Sequence, residues 1–378
     1  MPPSQRAMFF IACVVAMSSS SFAQAPNSTS RAQPDVLIFV DGEKLIGHLE
    51  HATGSSVVFK SDVAGEVTVE WSKIQELRSS QRFAVIPKDV KLRRSPNANT
   101  VPQGTVTMRD QKLQVQTTAA ARSQAIPVGN VGNLVDETSF QEAFRKQSFT
   151  QGWKGGATAG LSLTQATQTS QAFTASANFT RAVPNVNWLD LRSRTIFDYN
   201  QAYGKTSTPG SPSIKTSLFR IDGEQDWYLS HRLYTFVGAA FDHNFSQGLS
   251  LQQTYGGGVG LVVFKTDIQE FDVKASMDYI NQRFQTSTLN KNLIGSIFGE
   301  SYSEKFVHGI LFNEQAGVTP AWNDSSAYSA FASAGLTFPV YHRLGLTLGA
   351  LDSYLNDPPP SFKKNSFQFT VGATYSFQ

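Results

Sequence analysis

The segment NSFQFTVGATYSFQ, residues 365–378, ends the chain with apolar and polar side chains on alternating positions. Alternate residues of a β-strand point to opposite faces, so one face of this segment is apolar and the other carries small or polar side chains. The apolar positions are Phe367, Phe369, Val371, Ala373, Tyr375 and Phe377. This pattern predicts a membrane strand with its apolar face toward lipid, and a barrel that its last strand closes.

The composition agrees with one large all-β domain and a smaller one. Of 378 residues, 40% are apolar and only 16% are charged, below the roughly 25% that is usual in soluble domains. The formal net charge is +3 and there is no long basic run, so nothing indicates a nucleic-acid partner.

Residues 1–23 have the features of a signal peptide. The apolar run at residues 8–17 is too short to span a membrane as a helix, which takes about 20 residues. Arg6 precedes this run, and Ser21-Phe22-Ala23 follows it as a small-residue cleavage pattern. The single cysteine, Cys13, lies inside, so the exported chain is expected to lack disulfides and thiol chemistry.

After a start at residues 24–34 that we expect to be disordered, residues 35–80 are predicted to form a small β-module. Asp41-Gly42 is a strong hairpin signal between two short apolar segments. A second, weaker copy is predicted at residues 81–135, because one offset relates the patterns of both halves, beginning with Gly47 and Gly104.

Residues 136–150 are predicted to form a linker or short helix, with Ser139 and Glu142 at capping-box spacing. From there on, residues 151–378 show long alternating segments that exceed the ~9 to 11 residues of a tilted membrane strand. Eleven segments are clear. If the N-terminal module is periplasmic and the last strand also ends in the periplasm, the chain enters and leaves the barrel on the same side of the membrane. The number must therefore be even, and we predict a twelfth strand at residues 291–303.

These observations predict an all-β fold: a transmembrane antiparallel β-barrel of about twelve strands, preceded by small duplicated β-modules in the periplasm. A barrel leaves no open edge, because unpaired backbone groups are costly in lipid. Residues 365–378 are therefore expected to pair with residues 153–164.

Several stretches resemble one known family. WKGGA at residues 153–157, continuing into GLSLT at 160–164, resembles its first barrel strand, and GESYSEK at 299–305 resembles its late hairpin. The ending at 367–377 and the front module, with DGEKLIG at 41–47, are also similar. The family is the domain-of-unknown-function group of outer-membrane β-barrels known as salt-induced outer membrane proteins. The resemblance implies a barrel among outer-membrane lipids and brings neither catalytic residues nor a cofactor.

The resemblance also implies that the last strand is the signal read by the barrel-insertion machinery. The residues that would carry this signal are Phe367, Phe369, Val371, Tyr375 and Phe377. Two positions depart from the family's pattern: Gln165-Ala166 replaces a Gly-Asn pair, and Gln378 follows the terminal aromatic residue. We further expect the periplasmic module to contact the cell wall or envelope proteins.

The polar face of the predicted strands carries most of the charge of the chain. The residues expected to line the lumen are Arg192, Arg194, Arg220, Asp222, Glu224, Asp226, Asp272, Lys274 and Asp278. One interpretation is a selective aqueous path lined by both signs. The other is a salt-bridged filling that stiffens a narrow barrel, and it is favoured because small barrels are commonly packed shut.

Two further patterns have competing interpretations. His243 and Ser246 invite comparison with outer-membrane phospholipase A, but a spacing of three puts them on opposite faces of a strand, out of hydrogen-bond reach. The run at residues 256–260 (GGGVG) lacks the Lys-Ser/Thr of a phosphate loop, so we interpret it as close packing within a strand. The histidines are scattered and predict no metal site.

The sequence therefore predicts an exported outer-membrane barrel that is not an enzyme and needs no cofactor. It would pass small solutes or have an envelope-structural role. The alternative is a lipid-modifying, phospholipase-like membrane enzyme.

Overall fold

A computed structural model describes residues 34–90, 92, 101–117, 123–145, 147–165, 169–186, 188–207 and 213–377. The predicted signal peptide, the expected disordered start up to residue 33, and Gln378 lie outside the described residues. The chain divides into two compact units, residues 1–83 with 103–131 and residues 84–102 with 132–378. No helix in the described residues is both long and apolar enough to cross a membrane.

Short antiparallel strands make up the N-terminal sheet. They are β1 (Asp35–Phe39), β2 (Lys44–Thr53), β3 (Ser56–Ser61), β4 (Gly65–Glu70), β5 (Ile74–Pro87), β6 (Gln103–Arg109), β7 (Lys112–Gln116) and β8 (Ser123–Pro127). The strand order is β4-β3-β2-β1-β5-β6-β7-β8. Strand β5 runs through residue 80, where the sequence patterns suggested a boundary between two modules, so both copies contribute to one sheet.

The core of this sheet follows from alternation along each strand. In β7, Leu113 and Val115 are buried while their neighbours are exposed. Asp35 is also fully buried, but its carboxylate accepts hydrogen bonds from the backbone N–H groups of Leu49 at 2.8 Å and Ser80 at 3.1 Å. Because both carboxylate oxygens have donors, burial of this charge is compensated, and β1 is fixed beside β2 and β5.

The two halves of the sheet contain equivalent elements 57 residues apart. A 3₁₀ turn at Trp71–Lys73 leads into β5, and one at Val128–Asn130 leads into β9 (Val131–Asp136). Gly47 and Gly104 are also equivalent, because a Cβ atom at either would lie 2.0 Å from a backbone carbonyl oxygen of the neighbouring strand. Only glycine permits this close approach of the two backbones.

One helix, α1 (Glu137–Phe144), precedes the barrel. Its N-cap is Asp136, whose side chain accepts a hydrogen bond from the backbone N–H of Ser139 at 2.9 Å. The N-cap predicted at Ser139 is therefore wrong: the helix begins three residues earlier, because β9 leads directly into it. Phe140 stacks on Trp188, which lies in the connection between the second and third strands of the barrel, with ring centroids 5.6 Å apart.

Thirteen strand segments form the barrel. They are β10 (Trp153–Gln165), β11 (Thr169–Val183), β12 (Ser193–Ser207), β13 (Ile214–Tyr228), β14 (Leu233–Asn244), β15 (Leu249–Lys265), β16 (Gln269–Phe284), β17 (Lys291–Gly295), β18 (Phe298–Lys305), β19 (Leu311–Thr319), β20 (Ser329–Tyr341), β21 (Leu344–Leu355) and β22 (Asn365–Phe377).

Twelve strands close this barrel, because β17 and β18 are two parts of one strand. Both pair with β16 in a single register, with Asp278 opposite Gly295 and Ala275 opposite Phe298. The predicted count of twelve and the predicted strand at residues 291–303 are therefore confirmed. Strand β22 pairs with β10, from Gly155 opposite Phe377 onward, as the closing strand was expected to do.

Residues that lie directly opposite each other in neighbouring strands share a face, so the register separates the outside of the barrel from its lumen. The outward positions are apolar and exposed, as at Val259 (54% exposed), Met277 (59%) and Phe369 (61%). Such an apolar outer band is the lipid-facing surface of a transmembrane barrel. The end of the barrel that carries residues 153 and 377 is called the terminal end below, and the opposite end the loop end.

Candidate functional site

Eight of the nine residues predicted to line the lumen lie on inward faces of the barrel strands. They are Arg194, Arg220, Asp222, Glu224, Asp226, Asp272, Lys274 and Asp278. The ninth, Arg192, precedes β12, so the strand register does not assign it to a face. Its backbone N–H donates to the carbonyl oxygen of Val183 at 2.8 Å and closes the connection from β11.

Arg194 crosses the lumen near the terminal end. Its Nε donates to Asp226 Oδ2 on the adjacent strand β13 at 2.7 Å. Its Nη1 donates to Asp272 Oδ2 at 2.9 Å and to Glu270 Oε1 at 3.3 Å, both on β16, four strands further around the barrel. The side chains of Arg194, Asp226 and Asp272 are only 12%, 0% and 5% exposed, so this cluster excludes water.

Two tyrosines flank the same guanidinium group. The Arg194 Cζ atom lies 5.1 Å from the ring centroid of Tyr234 and 5.9 Å from that of Tyr228, within cation–π distance. Tyr234 is 1% exposed and lies flat against β15, where a Cβ atom on Gly260 would come within 2.1 Å of the ring. The glycine run predicted to allow close packing therefore provides space for this ring.

Arg220 forms a second crossing nearer the middle of the barrel. Its Nη1 donates to Asp242 Oδ1 at 2.7 Å and its Nε to Asp222 Oδ1 at 2.9 Å. The Arg220 Cζ atom also lies 5.6 Å from the ring centroid of Phe331 on β20, which is on the opposite side of the barrel from β13. The Arg220 side chain remains 32% exposed, so water reaches this part of the lumen.

A third pair joins β16 to β13. Lys274 Nζ donates to Glu224 Oε2 at 2.6 Å and lies 5.4 Å from the ring centroid of Phe236. The lysine side chain is 33% exposed. With Lys265 at the end of β15, which pairs with Glu270, the charged side chains extend from β12, β13, β14, β15 and β16. The inward faces of these five strands are called the charged wall.

Carboxylates outnumber cationic side chains on the charged wall. The acids are Asp198, Asp222, Glu224, Asp226, Asp242, Glu270, Asp272 and Asp278, and the bases are Arg194, Arg220, Lys274 and Lys265, which pairs with Glu270. Asp198 lies directly opposite Asp222, and Asp278 accepts only from Ser276 Oγ among the described side chains. Acidic side chains therefore outnumber basic ones by eight to four on this wall.

Sequence reasoning missed three of these acids. Asp198, Asp242 and Glu270 lie on the same alternate positions of their strands as the predicted residues. That alternation is the pattern in the sequence from which they could have been predicted. Asp226, Asp242 and Asp272 each keep one buried carboxylate oxygen without a hydrogen-bond donor among the described residues.

Apart from Phe331, which Arg220 reaches, small hydroxyl side chains and glycine line much of the opposite side of the lumen. Thr158 and Thr374 hydrogen-bond at 2.7 Å, Thr374 and Thr347 at 2.5 Å, and Thr347 and Thr337 at 2.9 Å. This chain of hydroxyl groups crosses β10, β22, β21 and β20, whose inward faces are called the hydroxyl wall. Also on this wall, a Cβ atom at Gly335 would have no atom within 4 Å, so the lumen is open there.

At the loop end, a lysine joins two connections. Lys291 Nζ donates to Asp324 Oδ2 at 3.0 Å, between β19 and β20, and to Asp357 Oδ2 at 2.5 Å, between β21 and β22. The pKa of Asp324 is lowered to about 2, first by the hydrogen bond from Ser326 Oγ and then by that from Lys291. These contacts hold the two loops against the start of β17.

The lowered pKa of Asp324 predicts how these loops respond to acid. Because the folded-state pKa lies below the ordinary value of 3.8, the contribution is fully present above pH 3.8 and is lost as the pH falls through about 2. We expect pepsin to cleave the 320–328 loop slowly at pH 3 and faster below pH 2, relative to an unstructured reference peptide. Asp324→Asn should be cleaved equally at both values, and loop opening already near pH 4 would contradict this assignment.

The proposed enzyme pair is not assembled. His243 stacks on Phe219, with ring centroids 5.6 Å apart, and its Nδ1 lies 2.8 Å from the carbonyl oxygen of Ser250, to which it donates. Ser246 lies in a 3₁₀ turn, where its N–H donates to Asn244 Oδ1. No hydrogen bond joins His243 to Ser246 in the described chain. Nor do its described residues include three or more His, Cys, Asp or Glu side chains arranged to hold a metal ion.

The family model described as "Protein of unknown function, DUF481" matches residues 157–377, and this confirms the expected domain-of-unknown-function family. Among solved structures, the COG4313 outer membrane channel from Pseudomonas putida F1 is 10% identical with a TM-score of 0.36, covering 61% of this chain and 97% of that one. The NanC porin is 9% identical with a TM-score of 0.35, covering 60% and 99%. The transport unit of the autotransporter AIDA-I from Escherichia coli is 15% identical with a TM-score of 0.28, covering 64% and 97%. No curated protein matches the chain.

Proposed function

Because the chain belongs to the DUF481 family, whose function is unknown, we propose from the lumen itself that it is an outer-membrane channel for small solutes that prefers cations. The observation that carries the proposal is the division of the lumen into a charged wall and a hydroxyl wall. The bulky ion pairs fill one side of the barrel, and the other side is lined by threonine and glycine. A solute would pass along the hydroxyl wall.

Water in the middle of the lumen supports a path of this kind. The side chains of Arg220 and Lys274 remain 32% and 33% exposed although both are ion-paired. If packed side chains closed the lumen completely, Arg220 and Lys274 would be as little exposed to solvent as Arg194, whose side chain is 12% exposed. The filling predicted from the sequence and the aqueous path therefore coexist on opposite walls.

The excess of carboxylates supports the preference for cations. Eight acids face four bases on the charged wall, and a narrow lumen with a low-dielectric wall concentrates the field of such an excess. Hydroxyl oxygens on the opposite wall replace part of the hydration shell of a passing cation. An anion would meet no unpaired cationic side chain on the charged wall, since each of its four bases is ion-paired.

Single-channel recording tests the proposal. In a planar bilayer with unequal KCl concentrations, the protein should give small, discrete conductance steps with a reversal potential on the cation-selective side. In a Cys13→Ser background, Gly335→Cys should react with a water-soluble cationic methanethiosulfonate, because the lumen beside Gly335 is open. The added group should lower the conductance by half or more. The anionic reagent should react more slowly.

Ala334→Cys is the matched control, because Ala334 neighbours Gly335 but lies on the lipid-facing side of β20. It should resist both reagents and leave the conductance unchanged. A silent bilayer, or equal labelling of the two cysteines, would exclude the channel. Discrete steps with anion selectivity would exclude only the preference for cations.

The same proposal puts the N-terminal module in the periplasm after export by the signal peptide, within reach of the cell wall or envelope proteins. Support comes from the unequal connections of the barrel. Residues 320–328 and 356–364 form long loops at the loop end. At the terminal end the connections at 229–232, 266–268 and 342–343 are short, and residues 184–192 form the longer exception. Outer-membrane barrels have short turns on the periplasmic side. The last strand would then be read there by the barrel-insertion machinery.

A further inference from the structure

On the outer surface of the barrel, Glu300 and Glu314 are two neighbouring carboxylates that face lipid. Glu300 on β18 lies opposite Val273 and Ala316, and Glu314 on β19 lies opposite Tyr302 and Ala334. The inward positions of the same strands are occupied by neighbours such as Gly299 and Gly317, so both glutamates belong to the outer face.

An aromatic row fixes how deep these carboxylates lie. Phe264, Phe271, Tyr302 and Phe312 follow one another around the terminal end, with ring centroids 5.6, 6.4 and 6.2 Å apart. Aromatic belts mark the interface between lipid headgroups and the apolar band. Glu300 lies two residues further from the terminal end than Tyr302, and Glu314 two residues further than Phe312. Both glutamates therefore lie on the apolar side of the belt.

Neither glutamate has a partner within the described chain. By contrast, nearby Glu304 accepts hydrogen bonds from Tyr302 Oη at 2.7 Å and Gln269 Nε2 at 2.9 Å. The outward-facing basic residues of the described barrel strands all lie within three residues of a strand end: Arg181, Lys205, Lys215 and Arg283. A second copy of the chain would therefore bring no cation to the depth of Glu300 and Glu314.

An apolar groove of about 650 Å³ opens beside Glu300. Small residues on neighbouring strands form its floor, among them Ala275, Gly299, Ala316 and Ala330, and larger ones such as Phe298 and Val318 form its sides. The small residues lower the surface locally between the larger ones beside them. The groove and the carboxylate therefore present an apolar and an anionic element side by side.

We propose that this groove binds an ethanolamine phospholipid, with one acyl chain in the groove and the ammonium group between Glu300 and Glu314. Ionisable groups that face lipid are costly unless a partner compensates the charge. A primary ammonium group supplies both the opposite charge and N–H donors, and hydrogen bonds between charged groups are the stronger class. The site is independent of solute passage through the lumen.

Native mass spectrometry of the full-length barrel tests this site. The detergent-solubilised protein is offered an equal mixture of phosphatidylethanolamine, phosphatidylcholine and phosphatidylglycerol with identical acyl chains. The wild type should retain the ethanolamine lipid roughly tenfold over the other two, the range expected for a charged hydrogen bond. Glu300→Gln with Glu314→Gln should abolish this preference. Glu304→Gln is the control and should keep it, because Glu304 already has partners.

A second variant separates binding from folding. Ala316→Phe fills the groove while leaving both carboxylates in place, and it should reduce retention of all three lipids provided that the variant keeps heat-modifiable gel mobility. Equal retention of the three lipids by the wild type would overturn the proposal, as would preferential retention of phosphatidylglycerol. A dimer that disappears in the double glutamine variant would overturn it in favour of a second copy.

Discussion

Arg194→Ala is expected to destabilise the barrel by about 3–5 kcal/mol, the cost of leaving a buried ion pair without one partner. Asp226 and Asp272, whose side chains are 0% and 5% exposed, would lose the cation that pairs with both of them. The guanidinium group also holds Tyr234 in place, so its loss removes a packing contact as well. The folded barrel should convert to its slower-migrating form in gels at a clearly lower temperature than the wild type does.

Two controls make the Arg194 result specific. Arg194→Lys keeps a charge, but its single ammonium nitrogen does not reproduce the separate Nε and Nη1 donors that bind β13 and β16, so its loss of stability should be intermediate. Arg220→Ala removes a similar ion-paired arginine that is 32% exposed, and water can solvate the carboxylates left behind, so its loss should be smaller. If the two alanine variants lost the same stability, the burial of the Arg194 cluster would not increase its contribution to the stability of the barrel.

Gly260→Val is expected to disrupt the same region from β15, the strand beside Tyr234. A Cβ atom at this position would lie 2.1 Å from the Tyr234 ring, so the ring must leave its buried position beside Arg194. Overpacking of this kind typically costs about 1–3 kcal/mol, and here it also disturbs an ion-pair cluster. The change should appear as a lower urea midpoint of unfolding followed by tryptophan fluorescence.

Gly335→Val is the matched control for Gly260→Val, because it adds the same side chain to an inward-facing strand position. No atom lies within 4 Å of a Cβ atom at Gly335, and valine is favoured in strands. We expect unchanged or slightly higher stability. If both variants lost stability equally, the loss would reflect the removal of glycine and not the Tyr234 contact.

The number of strands could be predicted because each strand crosses the membrane once. A barrel that begins and ends on the same side of the membrane therefore has an even number of strands. The twelfth strand was difficult to recognise for a physical reason: its polarity is locally inverted. Leu293 faces inward and packs with Ile280, Ala321 and Ala327, while Glu300 faces lipid. An apolar residue in the lumen and a carboxylate outside cancel the alternation that identifies the other strands.

The pairing inside the lumen could not be predicted from alternation. Strand parity assigns a residue to a face but does not tell which strand lies across the barrel. The contact from Arg194 to Asp272 depends on the stagger and closure of the whole sheet, because the two residues are 78 positions apart. The same limit explains why Arg192 was included: parity continues past the end of a strand, whereas the strand itself begins at Ser193.

The seam between β10 and β22 sets the order in which the barrel can assemble. Thr158 and Thr374 hydrogen-bond although 216 positions separate them, whereas the other neighbouring strands of the barrel follow one another along the chain. Hairpins can therefore form early from local contacts, but closing the seam must wait for the end of the chain and pays the entropy of a very long loop. Until then both outer strands expose unpaired edges, and the open intermediate is the state most prone to aggregation.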